Sequence, residues 1–83
     1  MSEADPKMME DFNVNYRLLG FPSAEEGHDA LTQELQGVLG LSSVETTAYV
    51  RQRTAHIEDP NQRKRAKDFL ELRIGGLKVR QEV

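Results

Sequence analysis

The first hydrophobic pattern in the chain is an alternation within the segment DFNVNYRLLGF, residues 11–21. Every second position is apolar and the positions between are mostly polar; the apolar set is Phe12, Val14, Tyr16 and Leu18. A period of two places these side chains on one face of an extended chain, which is typical of a half-buried strand. The pattern therefore predicts a strand in this segment, with its apolar face directed to the core.

A helix is predicted after this strand, between Ser23 and Gly40. Ser23 and Glu26 have the spacing of a capping box, in which each side chain bonds to the backbone N–H of the other residue. The apolar residues that follow recur three and four positions apart, as they do on one face of a helix: Leu31, Leu35 and Val38. Gly40 suits the end of the helix, because glycine adopts the conformations that follow a last turn without strain.

Residues 44–53, VETTAYVRQR, admit two interpretations. The segment could be the second helix of a helix-turn-helix with Gly40 in the turn. In that alignment Gln36 falls where the motif has a small residue, and Thr46 falls where it has a large apolar one. As a strand, the segment alternates a fairly apolar face with a polar one, and its β-branched residues favour extended backbone. A second strand also supplies a pairing partner for the first. We favour the strand and keep the helix-turn-helix as the alternative.

The last third of the chain begins with a basic helix. Asp59 is a suitable cap and Pro60 suits the first helical position, so we predict a helix from Pro60 to about Phe69 or Ile74. The dipeptide Gly75-Gly76 follows. It is typical of a tight hairpin within residues 70–81, or of a helix end before a short strand over residues 77–80.

The segments DFNVNYRLLGF and LGLSSVETTAYVRQR, with the predicted helix between them, resemble the second β-α-β half of the sensing domain of the leucine-responsive (Lrp/AsnC) regulator family. The resemblance covers residues 11–54 and rests mainly on Leu39–Val50, which corresponds to the turn and strand entry of that family. It implies a ferredoxin-like split β-α-β unit. We therefore predict an α+β domain of this kind with an additional C-terminal helix and strand; the alternative is a mostly α protein with a helix-turn-helix.

Composition and length bear on the number of domains, the oligomeric state and the location of the protein. The chain has 83 residues and no cysteine, so we expect one domain over residues 11–83 after a flexible acidic tail over residues 1–10. A core of this size is marginally stable without disulfides, so we also expect a homo-oligomer. The sequence contains neither a signal peptide pattern nor an apolar run of membrane-spanning length, which predicts a cytoplasmic protein that does not enter a membrane.

Candidate catalytic chemistry is sparse in this sequence. There is no cysteine nucleophile, no phosphate-binding loop and no dinucleotide fingerprint. The two histidines, His28 and His56, do not have the spacing of metal ligands. We favour a structural role for them over a catalytic one. We therefore expect no enzyme activity, no metal site and no cofactor.

Charge is distributed unevenly between the two halves of the chain. Residues 1–46 contain two bases and nine acids, whereas residues 47–83 contain nine bases and five acids. Basic side chains that share a surface neutralise phosphates and bind nucleic acid in a salt-dependent manner. We therefore predict a small non-catalytic nucleic-acid-binding or transcription-regulatory protein. Its predicted contact residues are Arg51, Arg53, Arg63, Lys64, Arg65 and Lys67.

The alternative function is a protein–protein interaction module, such as a small inhibitor or an assembly factor, that binds no nucleic acid. In this hypothesis the charge asymmetry complements a protein surface. An exposed strand over residues 77–83 would extend a partner's sheet. The acidic face of the first predicted helix would be a second contact, through Glu25, Glu26, Asp29 and Glu34.

Overall fold

The computed structural model of this chain describes residues 6–81, with their side chains from residue 10 onward. These residues form four helices: α1 (Pro6–Leu18), α2 (Ala24–Gln36), α3 (Ser43–Arg53) and α4 (Pro60–Gln81). No strand occurs between residues 6 and 81, so the predicted α+β, ferredoxin-like fold is wrong and the mostly α alternative fits. Helix α1 includes residues 6–10 of the predicted tail, whose residues 1–5 lie outside the described part of the chain.

Helix α1 replaces the strand that the alternation predicted for residues 11–21. Tyr16 and Leu19, three residues apart, are buried, whereas Phe12 remains half exposed, so burial follows the helical period and not the period of two. The helix ends in a Schellman motif, in which Gly20 has a φ of 98° and the N–H of Phe21 donates to the carbonyl of Tyr16 at 3.0 Å. This local signal, Gly20 followed by an apolar residue, outweighs the alternation.

Helix α2 begins where the sequence predicts and ends slightly earlier. The Ser23 hydroxyl accepts a hydrogen bond from the N–H of Glu26 at 3.3 Å, which confirms Ser23 as the cap. The Asn13 carboxamide of α1 accepts from the N–H of Ala24 at 2.8 Å and adds a second cap. The last residue is Gln36 rather than one beside Gly40, because the chain turns at Gly37.

Helix α3 is the segment for which we favoured a strand. Ser42 and Glu45 form a full capping box: the Ser42 N–H donates to Glu45 Oε1 at 3.0 Å, and the Glu45 N–H donates to Ser42 Oγ at 3.2 Å. This reciprocal pair satisfies backbone donors that a helix start otherwise leaves without partners. The predicted strand over residues 44–53 is therefore wrong, and the predicted alternation coincides with a helix that buries Val50 and exposes Val44.

Helix α4 is much longer than predicted. Asp59 caps it by accepting from the N–H of Asn61 at 2.8 Å, and Pro60 is its first residue, as the sequence predicts. The helix then continues through Gly75-Gly76 to Gln81, so the predicted hairpin in residues 70–81 and the predicted strand from residue 77 are wrong; residues 82–83 lie outside the described range. Among the described helices, α4 included, none is long and apolar enough to cross a membrane.

The core lies where α1, α2 and α4 meet, with α3 packed on α4. Its members are apolar side chains from all four helices and the turns between them: Tyr16, Leu19, Leu31, Leu35, Val38, Val50, Ile57, Ala66, Leu70 and Ile74. The residues that α4 contributes are spaced by four, and Leu77 extends the series with partial burial. This continuous packing holds the second half of α4 helical despite its two glycines, because tertiary contacts override weak local propensity.

Gly27 of α2 allows a close approach to Tyr16 and Phe21 in the core. A Cβ added at this position would lie 2.6 Å from Cδ1 of Tyr16 and 2.8 Å from Cβ of Phe21. At Gly75 of α4, in contrast, an added Cβ would meet open space. The two glycines therefore have opposite roles, although both lie inside helices.

We predict that Gly27→Ala lowers the free energy of unfolding by about 1–3 kcal/mol, because the methyl group overpacks the contact with α1. Gly75→Ala is the matched control and is expected to raise it by about 0.5–1 kcal/mol, because alanine loses less backbone entropy in a helix. Urea unfolding followed by circular dichroism measures both. A Gly27→Ala variant as stable as the parent would contradict this packing.

Candidate functional site

Arg53 is the most deeply engaged of the predicted phosphate-binding residues. It donates from Nε to Glu34 Oε2 at 2.7 Å and from Nη1 to the carbonyl of Leu19 at 2.8 Å. The Tyr49 hydroxyl donates to the same Glu34 carboxylate. The guanidinium also lies over the ring of Phe21, 5.7 Å from its centroid. Arg53 therefore joins α3 to α2 and to the end of α1, and its hydrogen-bond donors are directed into the protein.

The electrostatics of this cluster follow from partial burial and pairing. Burial raises the pKa of Glu34, but the hydrogen bonds from Arg53 and Tyr49 outweigh it and hold that pKa below the ordinary carboxyl range. Burial lowers the pKa of Arg53, but its hydrogen bond to Glu34 outweighs it, and the pKa is raised overall. The pKa of Tyr49 is raised by burial and by its hydrogen bond to Glu34. The cluster is a charge pair held by a neutral tyrosine.

Arg63 and Arg65 of α4 are also bound within the chain. Arg63 donates from Nε to the carbonyl of Ile57 at 2.8 Å, which ties the start of α4 to the α3–α4 connection. Arg65 donates from Nε to the Asn15 carboxamide at 2.7 Å and from Nη2 to the carbonyl of Asp11 at 3.0 Å. These contacts direct Arg65 towards α1 and Arg63 towards α3.

The remaining three predicted residues are more open. Lys64 forms an i,i+4 ion pair with Asp68, at 2.9 Å. Arg51 of α3 and Lys67 of α4 have no ion pair or side-chain hydrogen bond with any residue in the range 10–81. The six predicted residues therefore face different neighbours, and their role as nucleic-acid contacts stays a prediction.

Arg73 is a further internal arginine of α4. It donates to the hydroxyls of Tyr16 and Thr32 and, at 3.4 Å, to the carbonyl of His28. Burial raises the pKa of Tyr16, and the nearby Arg73 charge offsets only part of that effect. Arg73 thus links α4 to both α1 and α2.

The two histidines lie against different parts of the backbone. The His56 ring is hydrogen-bonded through Nε2 to the carbonyl of Leu18 at 2.8 Å, and the His28 ring lies 3.2 Å from the carboxylate of Asp29. Within the described residues, no three His, Asp or Glu side chains are placed to hold a metal ion. Nothing in this geometry assembles a nucleophile, a base and an orienting group.

The second half of α4 presents an uncharged outward face that the sequence analysis missed. Leu72 and Val79 are 73% and 63% exposed, and they lie two turns apart on one side of the helix. Gly75 and Gly76 lie between them, and an added Cβ at either glycine would meet no neighbouring atom within 4 Å. We call these four residues the α4 face. It lies opposite the buried side of the helix, which Ala66, Leu70 and Ile74 form.

A helical interpretation of residues 60–81 contains the signal for this face. Apolar residues spaced by four define the buried side, and the apolar residues left over then fall on the opposite side. The dipeptide Gly75-Gly76 concealed the signal, because it is also typical of a hairpin. Leu72 and Val79 were therefore assigned to a hairpin, or to a helix end and a following strand, and not to one helical surface.

No family model, curated protein sequence or solved structure matches this chain. The resemblance to the leucine-responsive regulators stays a prediction, although the β-α-β fold attached to it is wrong.

The Glu34 cluster predicts a specific pH dependence of stability. A carboxyl whose pKa is lowered on folding stabilises the protein above the unfolded pKa, about 4.3. That stability is lost as pH falls through the lower folded pKa. Glu34→Gln should therefore lower stability at neutral pH and flatten the acid limb of the pH profile.

The measurement is urea unfolding at a series of pH values from neutral to about pH 3. Asp68→Asn is the matched control, because Asp68 is in an exposed i,i+4 pair that contributes little to stability. Identical acid limbs for the parent and Glu34→Gln would show that the cluster contributes no such stability.

Proposed function

We propose that this chain is a non-catalytic protein-interaction module that binds a helix of a partner protein on the α4 face. The observation that carries the proposal is the exposure of Leu72 and Val79 on either side of two helical glycines. Two large apolar side chains on one outward side of a helix, with no charge between them on that side, are typical of a docking surface.

The chemistry of the face favours a helix as the docked element. Glycines in a helix let a second backbone approach closely, and flanking apolar side chains then pack around the contact. Extension of a partner's sheet does not suit this chain, because residues 77–81 belong to α4 and their N–H groups are used within the helix.

The contacts of the basic residues support this proposal over nucleic-acid binding. Arg53, Arg63 and Arg65 donate to protein acceptors, and Lys64 is paired with Asp68. Binding of phosphates by these groups would first break their contacts within the protein, and those of Arg53 and Arg65 join helices. Arg51 and Lys67 lie on different helices and offer too few charges for strong backbone binding.

We predict no saturable binding of labelled mixed duplex DNA or single-stranded RNA at physiological salt, and only weak binding at low salt. Fluorescence anisotropy with the full chain measures this. Saturable binding with a steep salt dependence, weakened by Arg51→Ala and Lys67→Ala, would overturn the proposal in favour of a nucleic-acid-binding protein.

We also predict that Leu72→Glu abolishes partner binding while the fold is kept, because a charge would be buried at the centre of the contact. Val44→Glu is the matched control, since Val44 is 80% exposed on a different helix, α3. The experiment immobilises the parent, Leu72→Glu and Val44→Glu chains separately. It measures how much of a single partner protein each chain retains, in a fixed stoichiometric ratio. Equal retention by the parent and both variants would contradict docking on the α4 face.

A further inference from the structure

We infer, building on the proposed docking function, that the α4 face binds a second copy of this chain. The two α4 helices pair antiparallel across a twofold axis that passes near Gly75. The observation behind this inference concerns the charged residues beside the face. Such an axis brings the acidic residue of each copy opposite the basic residue of the other.

The complementary charges are Glu71 and Lys78. They are seven residues apart, so they lie on the same flank of α4, two turns from each other. Glu71 is exposed and Lys78 is partly exposed, and neither forms an ion pair with another residue in the range 10–81. In an antiparallel pair the same flanks of the two helices meet. Glu71 of each copy therefore faces Lys78 of the other, and the twofold axis generates this contact twice.

The apolar residues of the α4 face are brought together by the same twofold axis. The midpoint between Leu72 and Val79 lies one residue from the midpoint between Glu71 and Lys78, a difference in rise of about 1.5 Å. One axis therefore places Leu72 of each copy beside Val79 and over the glycines of the other while the charges pair. In a parallel twofold pair opposite flanks of the two helices meet, so Glu71 and Lys78 of one copy would lie across the interface from those of the other and would not pair.

Helices α1 and α2 contact α4 on the flank opposite Glu71 and Lys78. Phe69 packs edge-on against Tyr16 of α1, with ring centroids 5.0 Å apart, and Arg73 contacts both Tyr16 of α1 and Thr32 of α2. On the helical wheel Phe69 and Arg73 lie on the side of the α4 face away from Glu71 and Lys78. A second α4 helix can therefore approach from the Glu71 flank without displacing α1 or α2.

The size of the face sets the strength that we expect. One pair of helix faces with two apolar residues each buries less than the roughly 1,200–2,000 Å² of a standard stable interface. We therefore expect a dimer that dissociates in the micromolar range and exchanges rapidly.

The test is sedimentation equilibrium of the full chain from micromolar to millimolar concentration, with charge reversals in the flank. Glu71→Lys and Lys78→Glu, each alone, should weaken the dimer by about tenfold, because each places like charges together at two symmetry-related contacts. The double variant Glu71→Lys/Lys78→Glu should return to within about twofold of the parent. Circular dichroism checks that each variant keeps its helices, and Val44→Glu should dimerise like the parent.

Each outcome separates this inference from the proposed function. A parent chain that stays monomeric to millimolar concentration overturns the dimer, while Leu72-dependent retention of a different protein leaves the docking function standing. A double variant as weak as the single ones overturns the antiparallel pairing of Glu71 with Lys78. Rescue by the double variant supports it, because a parallel pair would gain nothing from the exchange.

Discussion

Arginine side chains that cross between helices are the interactions on which this small fold depends. Arg53 joins α3 to α2 and the end of α1, Arg73 joins α4 to α1 and α2, and Arg65 joins α4 to α1. A chain of 83 residues without cysteine has a small core and no covalent cross-link. Guanidinium groups suit this task, because one planar group donates to several acceptors in fixed directions. Carbonyl groups at helix ends, such as that of Leu19, gain partners in this way.

These contacts explain part of the uneven charge distribution of the chain. Glu34 and Asp11 come from the acidic half, and their partners Arg53 and Arg65 come from the basic half. The two halves therefore complement each other inside one molecule, and part of the positive charge is not available to an external anion. Charge counts along a sequence do not distinguish internal pairing from a binding surface, because the distinction depends on which helix faces which. The predicted nucleic-acid surface was built on that missing information.

Capping residues at helix ends gave the most reliable predictions from the sequence. Periodicity over short segments gave the least reliable ones. Ser23 and Asp59 were recognised as caps, and both helices begin there. The same chemistry at Ser42 and at Gly20 was overlooked in favour of alternating patterns. Alternation over seven or eight residues is weak evidence, because a helix of that length also places several of those positions near its buried side. The α4 face could not be recognised until Gly75-Gly76 was placed inside a helix.

Neither the backbone conformation nor the packing of a single chain requires glycine at positions 75 and 76 of α4. Neither has a positive φ, and neither makes a close contact that a side chain would prevent. Each nevertheless costs about 1 kcal/mol relative to alanine in a helix interior. A small domain has little stability to spare, so this cost requires a compensating contact. Close approach of another backbone is the physical circumstance in which glycine is better than alanine, and Leu72 and Val79 provide the apolar surface on either side of it. The proposed contact on the α4 face therefore accounts for the glycines and the exposed apolar residues together.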